Sequence, residues 1–364
     1  MALALQLAEQ GLYSTAPNPR VGCVVVKNNQ IVGQGAHLKA GQAHAEVLAL
    51  SQAGAAAQGA DVYVTLEPCS HFGRTPPCVD ALLAAGVKRV VVAMQDPNPL
   101  VAGLGIKRLQ AQGVQVEQGL LASQAQALNL GFISRMTRHR PYLRSKLAAS
   151  LDGRTALKNG LSQWITSEAA RNDVQHWRGL SCAIMTGVGT VLQDNPSLTL
   201  RSPDVLSLAG SRQPLRVIVD SRLRSPMDSQ ILSPASLQTG PVLIAYAAAP
   251  AAKVTQLKQS GAELLAMPDA VGRVDLTALL THLAERGVND VLLEAGAVLN
   301  GAFLQAQLID EFIFYYAAKL MGGDAKPMFV LPEFSQMSQA LDLQILEVRQ
   351  LGADLRLRAQ PKPA

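Results

Sequence analysis

Aromatic residues make up only 4% of this 364-residue chain, too few for the stacking platforms that bind single-stranded nucleic acids. Charged residues are also sparse, at 16%, and no block of Lys and Arg forms a basic tail. The pI near 9.1 comes from a small, even excess: 10 Lys/Arg against 7 Asp/Glu over residues 1–139, and 22 against 20 over residues 140–364. Such a spread argues against a nucleic-acid face, and a phosphorylated small molecule accounts for a few arginines equally well. No apolar run reaches the roughly 18 residues of a membrane span. Residues 2–8 are rich in Ala and Leu, but they lack a basic leader and are broken by Gln6 and Glu9, unlike a signal peptide. With only four cysteines, a disulfide framework is excluded. The expectation is a cytoplasmic protein with reduced thiols and neither a membrane nor a nucleic-acid partner.

What is present is more specific. The length suggests two domains, and a 48% hydrophobic content supports a packed core in each. Within the first half, His44-Ala45-Glu46 is followed by Pro68-Cys69 and, after eight intervening residues, by Cys78. Alone, any one of these residues would default to a core histidine, a buried thiol or a surface carboxylate. Together they offer one imidazole, two thiols and a carboxylate two residues beyond the imidazole. Three protein ligands leave the fourth tetrahedral position of a zinc ion for water, whose pKa the metal lowers toward neutrality. A structural zinc clip would need a fourth ligand, and His71, in a Gly/Pro-rich loop, is the one nearby candidate; a loop or substrate contact suits it better. The histidine, glutamate and proline-cysteine pattern is the established signature of zinc-dependent nucleobase deaminases. That signature normally ends Pro-Cys-x-x-Cys, so the long Cys69–Cys78 interval departs from it. The zinc pattern by itself allows a nucleobase or tRNA deaminase.

Alternating strand and helix patterns run through the first half, as an α/β fold requires. Strands are predicted at 21–26, 31–35, 61–66, 87–94 and 114–117, and helices at 43–53, 79–85 and 105–112. This order puts His44 and the cysteines at or just before helix starts. Between Asn129 and Tyr142 the pattern loosens into an interdomain connection, dividing the chain into 1–139 and 140–364. The second half is predicted to have strands at 142–149, 182–186, 215–220, 242–246, 291–294, 310–317 and 343–349. Helices are predicted at 168–178, 276–285 and 301–307. Gly187-Val188-Gly189-Thr190 and Glu294-Ala295-Gly296-Ala297 each follow a strand, as phosphate-binding corners do. Neither is a complete dinucleotide fingerprint. Lys146, Arg178 and Arg201 taken singly would be solvated, Asp152-Gly153 a turn, and Trp164 a core residue.

Longer motifs change these readings. Asn18-Pro19-Arg20-Val21-Gly22-Cys23, Thr65-Leu66-Glu67-Pro68-Cys69 running on to Cys78, and Gln95-Asp96-Pro97-Asn98-Pro99 closely resemble the bifunctional RibD family of riboflavin biosynthesis. That family has the long cysteine interval. The likeness continues through Ser150-Leu151-Asp152-Gly153-Arg154-Thr155-Ala156, Ser162-Gln163-Trp164-Ile165-Thr166, Thr190-Val191-Leu192-Gln193-Asp194-Asn195-Pro196 and Glu294-Ala295-Gly296. It implies an α/β protein with an N-terminal cytidine-deaminase-like three-layer α/β/α domain and a C-terminal dihydrofolate-reductase-like α/β domain. The first would hydrolyse the 2-amino group of 2,5-diamino-6-(ribosylamino)-4(3H)-pyrimidinone 5'-phosphate. The second would use NADPH to reduce the ribosyl group of the product to ribityl.

Residue by residue, the resemblance implies that His44, Cys69 and Cys78 bind Zn2+ while Glu46 moves the proton. Ala148, Trp164, Thr190, Asp194, Ser221 and the segment Gly296, Ala297, Val298, Leu299, Asn300, Gly301 and Ala302 match NADPH-lining positions. Ser162, Arg178, Leu198, Arg201 and Glu294 match positions lining the phosphorylated substrate, with Arg178 and Arg201 suited to its phosphate. Lys146 and Asp194 are expected near the ribose carbon that receives hydride, with Asp194 assisting proton transfer. A homo-oligomer, dimer or tetramer, is expected. Asn195 stands where the family commonly has Asp, Ala297-Val298 where it often has Pro-Thr or Gly-Thr, and the chain before the first helix is short.

Overall fold

The computed structural model describes residues 1–72, 76–99 and 101–362, so Gly73, Arg74 and Thr75 of the long cysteine interval lie outside the described residues. The chain divides into two compact units, Met1–Arg140 and Pro141–Ala364, one residue beyond the expected boundary. The first runs α1 (Ala2–Glu9), β1 (Gly22–Lys27), β2 (Gln30–Ala36), α2 (Ala45–Ala53), β3 (Asp61–Val64), α3 (Cys78–Ala84), β4 (Arg89–Val92), α4 (Leu104–Ala111), β5 (Gln115–Gln118), α5 (Ala122–Leu128) and α6 (Leu130–Arg138). Its sheet has the order β2-β1-β3-β4-β5. Strand β1 is antiparallel to β2 and β3, and β3, β4 and β5 are parallel. Successive residues of β1 face opposite sides of the sheet. Val24 packs with Ala4 and Leu7 of α1, while Cys23 and Val25 pack with Ala45 and Ala49 of α2 and Val79 and Leu82 of α3. The result is a helix–sheet–helix sandwich.

The segment expected to be a loose connection, 129–142, is mostly the helix α6. Its buried stripe is only Gly131, Phe132 and Ser134, while Arg135 and Arg138 stand in the last turn, and those arginines masked its apolar face in the sequence. Asn129 anchors its start: its amide accepts from Arg20 N (2.8 Å) and donates to Arg20 O (3.0 Å).

In the second unit, β6 (Tyr142–Ser150), β7 (Arg154–Ala156), α7 (Glu168–Leu180), β8 (Ala183–Gly187), α8 (Val188–Asp194), α9 (Pro203–Leu208) and β9 (Leu215–Val219) come first. They are followed by α10 (Pro234–Thr239), β10 (Val242–Tyr246), α11 (Ala251–Gln259), β11 (Glu263–Ala266), α12 (Leu276–Glu285), β12 (Asp290–Leu293) and α13 (Ala297–Gln305). The chain closes with β13 (Glu311–Ala317), β14 (Lys326–Pro327), β15 (Leu343–Leu351) and β16 (Asp354–Pro361). The main sheet has the order β11-β10-β9-β8-β12-β6-β13-β16-β15. From β11 to β13 every pair is parallel, and β16 and β15 then add antiparallel to the edge. Strands covered on both faces read as continuous apolar runs. Met185 and Val217 face α12 and α13; Ile184 and Ile218 face α8 and α11.

Helix α13 begins four residues before the expected 301. Gly301 looked like a helix start, but it is an interior residue at a close approach: a Cβ there would lie 2.0 Å from Val330 O. The C-terminal ends of the parallel strands collect the candidate residues of this unit, where ligand crevices form in open α/β sheets.

Candidate active sites

In the first unit, α2 and α3 start beside each other and carry the polar cluster between them. Glycine lets α2 come close: a Cβ on Gly35 of β2 would lie 2.4 Å from Ala45 O, so only hydrogen fits at the first turn of α2. His44 is the extended residue capping α2, and Cys78 is the first residue of α3. Cys69 lies in the loop after β3 and is fixed by the start of α3, with Cys78 N donating to its Sγ (3.3 Å) and Val79 N to its carbonyl (3.2 Å). His44 Nδ1 is 3.1 Å from Cys78 Sγ and 3.6 Å from Cys69 Sγ, and all three ligand atoms lie within 4.8 Å of one another. A tetrahedral zinc with ordinary Zn–N and Zn–S bonds separates its ligands by about 3.5 to 3.8 Å, so the donor set fits. Hydrogen bonding from Cys78, and also from His44, holds the Cys69 thiol below its ordinary value despite its burial.

Glu46 is in the first turn of α2, only 3% exposed. Burial, and then the charge of Cys69, push its carboxyl up to about 7, the range in which a group can take and return a proton at neutral pH. His71 is exposed and is not among the clustered ligands. Cys23 and Cys182 are free thiols, Cys23 fully buried.

Two supports around this cluster were not singled out from the sequence. His37 meets His44 edge to face at 5.1 Å, and its ring nitrogens lie 3.1 Å from Ala43 O and 3.0 Å from Asn18 Nδ2. Glu67, two residues before Cys69 and 3% exposed, accepts four backbone N–H groups. Its Oε2 takes Asp96 (3.1 Å) and Gly103 (2.9 Å), and its Oε1 takes Gly105 (2.9 Å) and Ile106 (3.3 Å). The start of α4 is thereby tied to the Cys69 corner, where a Cβ on Gly105 would lie 2.1 Å from Pro68 O.

In the second unit a cleft of about 1530 Å³ opens at the strand ends. Lys146, Ala148, Ser162, Trp164, Thr190, Asp194, Ser221, Glu294, Gly296, Ala297, Val298, Leu299 and Ala302 line it. Trp164 is 64% exposed rather than core, with Arg171 stacked 4.5 Å over its ring. Ser162 Oγ donates to Asp194 Oδ1 (3.4 Å), and burial raises the Asp194 carboxyl above its ordinary value. Burial lowers the Lys146 ammonium, against the opposing charge of Glu294. The first-turn amides of α13, behind Gly296, suit a pyrophosphate, and the cleft is large enough for a dinucleotide beside a second ligand.

Five expected contacts lie elsewhere. Asn300 is fully buried: its amide donates to Ala295 O (2.6 Å) and accepts from Ser145 Oγ (2.8 Å), so it holds the Gly296 corner and β6 together. Gly301 is packed against the Val330 backbone and is not among the residues lining the cleft. Leu198 is 3% exposed in the core, leaving only its backbone to face a ligand. Arg201 is exposed outside the cleft, with its N–H bonded to Gln175 Oε1 (2.8 Å). Arg178 is not free to clamp a phosphate: Nε and Nη2 bond Glu294 (2.7 and 3.0 Å), and Nη1 bonds Thr199 O (2.8 Å). Burial opposes ionisation of Glu294, but Arg178 outweighs it and holds the carboxyl below its usual range. Asn195 ends α8 in the left-handed region (φ 44°), which asparagine tolerates, and accepts from Gln230 N (2.7 Å).

Comparison with known proteins accounts for both sites. The profile of the RibD C-terminal domain matches residues 141–357, and that of the cytidine and deoxycytidylate deaminase zinc-binding region matches residues 1–94. The chain belongs to the RibD family. It is 46% identical to the riboflavin biosynthesis protein RibD of Escherichia coli K12, over 98% of this chain and 97% of that one. The solved structure of Acinetobacter baumannii RibD (form 1) superposes with a TM-score of 0.90 at 47% identity, over 100% of this chain and 98% of that one. A deaminase/reductase from Thermotoga maritima, described as diaminohydroxyphosphoribosylaminopyrimidine deaminase/5-amino-6-(5-phosphoribosylamino)uracil reductase, superposes at 0.85 with 31% identity, over 100% and 97%. This RibD-family chain is therefore a bifunctional riboflavin-biosynthesis enzyme, a zinc-dependent deaminase joined to an NADPH-dependent reductase. Its folds are those of a cytidine-deaminase-like sandwich and a dihydrofolate-reductase-like domain.

Proposed function

We propose that residues 1–139 deaminate 2,5-diamino-6-(ribosylamino)-4(3H)-pyrimidinone 5'-phosphate and that residues 140–364 reduce the product to 5-amino-6-(5-phospho-ribitylamino)uracil. The observation carrying the first step is the convergence of His44, Cys69 and Cys78 within 4.8 Å beside buried Glu46. Zinc held by those three residues supplies an activated water. Glu46 would carry one proton of the attacking water to the ring nitrogen and the second to the amine, which leaves as ammonia when its C–N bond breaks and the carbon becomes a carbonyl; its near-neutral carboxyl suits both transfers.

In the reductase, NADPH supplies the hydride and the protein holds the two reactants. Ala148, Trp164, Thr190, Ser221 and the Gly296–Leu299 turn with Ala302 line the cofactor; Ser162 and Glu294 face the substrate. Arg178 acts by fixing Glu294. Asp194, made less acidic by burial, delivers a proton near the carbon that takes hydride, and Lys146 steadies the same region. Full-length protein given the diaminopyrimidine phosphate and NADPH tests this directly: ammonia release and NADPH oxidation should appear in sequence, with oxidation dependent on prior deamination. Oxidation without deamination would overturn the order.

We place the enzyme in the cytoplasm, where the free thiols at Cys69 and Cys78 stay reduced, and infer a homo-oligomer, dimer or tetramer. Strand β15 lies at the sheet edge and leaves Ile345, Leu346 and Val348 exposed, an apolar edge that natural proteins cover. In register with Leu357 and Ala359 of β16 and Phe312 and Phe314 of β13, Val348 and Ile345 extend one apolar face. A second copy suits it. Val348→Glu with Ile345→Glu should lower the mass measured by light scattering; an unchanged mass would remove this surface from the interface.

A further inference from the structure

Lys146 stands on the middle strand of the run β12-β6-β13. Its side chain lines the reductase cleft, and among the described residues its ammonium has no hydrogen bond or ion pair. Two groups flank it, and α7 steadies both. On the β12 side is Glu294, whose two oxygens are taken by Arg178 of α7 (2.7 and 3.0 Å). On the β13 side is the Tyr315 ring, its centroid 5.8 Å from Lys146 Nζ. Tyr315 is 1% exposed and is not among the residues lining the cleft. Its hydroxyl donates to Oδ2 of Asp173 on α7 (2.6 Å), which also accepts from Trp177 Nε1 (3.3 Å), while Arg356 Nη1 of β16 bonds both Asp173 oxygens (2.8 and 2.9 Å).

Resting on the reading of Lys146 as a group that acts beside the carbon taking hydride, we propose that Tyr315, held by Asp173, is a positioning residue for the Lys146 ammonium. A cation within about 6 Å of an aromatic centroid is attracted by the ring's quadrupole, more strongly where water is excluded. The other flank helps less. Burial works against the charge of Lys146, Glu294 supports it, and Arg178 opposes it; both oxygens of Glu294 are already bonded to that same Arg178. The next charge along this face of β6, Arg144, is bonded to Asp290 (2.7 Å) and Glu311 (3.1 Å). A ring has a further advantage over a carboxylate: it holds the charge without occupying the three N–H donors, which stay free for the substrate. The lysine stem is flexible, so a fixed ring beside its head group selects the rotamer. Asp173 does the fixing. Burial, and then the charge of Asp173, push the Tyr315 hydroxyl up, so it remains a donor, and donation to a carboxylate polarises the ring toward the cation.

The test is the pH dependence of kcat for full-length protein reducing supplied deaminated intermediate at saturating NADPH. The ammonium acts while charged, so activity falls as pH rises through its pKa, and losing the ring moves that fall to lower pH. Tyr315→Leu should bring the basic limb about one pH unit below wild type, with kcat on that limb down roughly 10-fold. Its NADPH dissociation constant, read by nucleotide fluorescence, should be unchanged. Tyr315→Phe keeps the ring and should restore most of the wild-type profile, while Asp173→Asn should move the limb the same way by less. A Tyr315→Leu protein that binds NADPH normally and keeps the wild-type limb would overturn the proposal. An equal loss of kcat at every pH would also overturn it, by marking a packing defect alone. If Tyr315→Leu does not fold, Asp173→Asn decides, and an unmoved limb there overturns the proposal. Lys146→Gln with the wild-type kcat and profile would overturn the reading of Lys146 itself, and the proposal with it.

Discussion

Glu67→Gln tests whether the zinc corner depends on a single buried carboxylate. Glu67 accepts four backbone amides, two on each oxygen. Glutamine keeps the shape but has one accepting oxygen, so its NH2 group must face two N–H donors. Two amides lose their partner, and an unmade bond to a charged acceptor costs about 1.5–3 kcal/mol, so the total is about 3–6 kcal/mol. In a unit of this size each kcal/mol moves the midpoint by roughly 3 °C, so the deaminase transition should fall by about 9–18 °C in a calorimetric scan of the zinc-loaded protein. Because the same amides tie α4 to the Cys69 corner, zinc should also leave faster to a chelator. A midpoint within about 2 °C of wild type, with an unchanged release rate, would refute the reasoning.

Further perturbations address other links. Gly35→Ala should displace the start of α2, because the new Cβ would meet Ala45 O at 2.4 Å; metal analysis should show zinc loss while NADPH reduction of supplied intermediate persists. Glu294→Gln should leave Arg178 buried without its counter-charge, costing about 3–5 kcal/mol, visible as earlier urea unfolding of the reductase unit. Asp152 is held down to about 2 by the Ser150 hydroxyl and the N–H groups of Gly322 and Met321. Since its folded value lies below its unfolded one, its contribution is full above about pH 4 and is lost as pH falls through about 2. Acid titration of unfolding should therefore be flatter in Asp152→Asn than in wild type, and an unchanged profile would remove Asp152 as the cause.

The zinc site was legible in the sequence because its chemistry requires particular residue types, and because His44 and Cys78 sit at helix starts where pattern changes mark them. Most strands were legible for the same local reason: buried β-branched runs such as 215–220 and 242–246 are bounded by turns. What escaped depended on contacts distant in sequence. Arg178 was read as a phosphate ligand because its partner Glu294 lies 116 residues away. Asn300 and Gly301 were read as cofactor contacts because their segment matches NADPH-lining positions of the family, but Asn300 is turned to Ser145 and Gly301 to Val330, which no helical period reveals. Glu67 gathers amides 29 to 39 residues downstream. The helix α6 was obscured by its arginines.

The most direct test of two chemistries on one chain is Glu46→Gln, assayed for bound zinc, ammonia release and NADPH oxidation in the same preparation. The amide preserves shape but cannot carry the proton, and Glu46 is not among the clustered metal ligands. Deamination should fall roughly 10²- to 10⁴-fold, with zinc content near wild type and reduction of supplied deaminated intermediate unchanged. Deamination at the wild-type rate, or loss of both activities in a folded, zinc-loaded variant, would contradict the account.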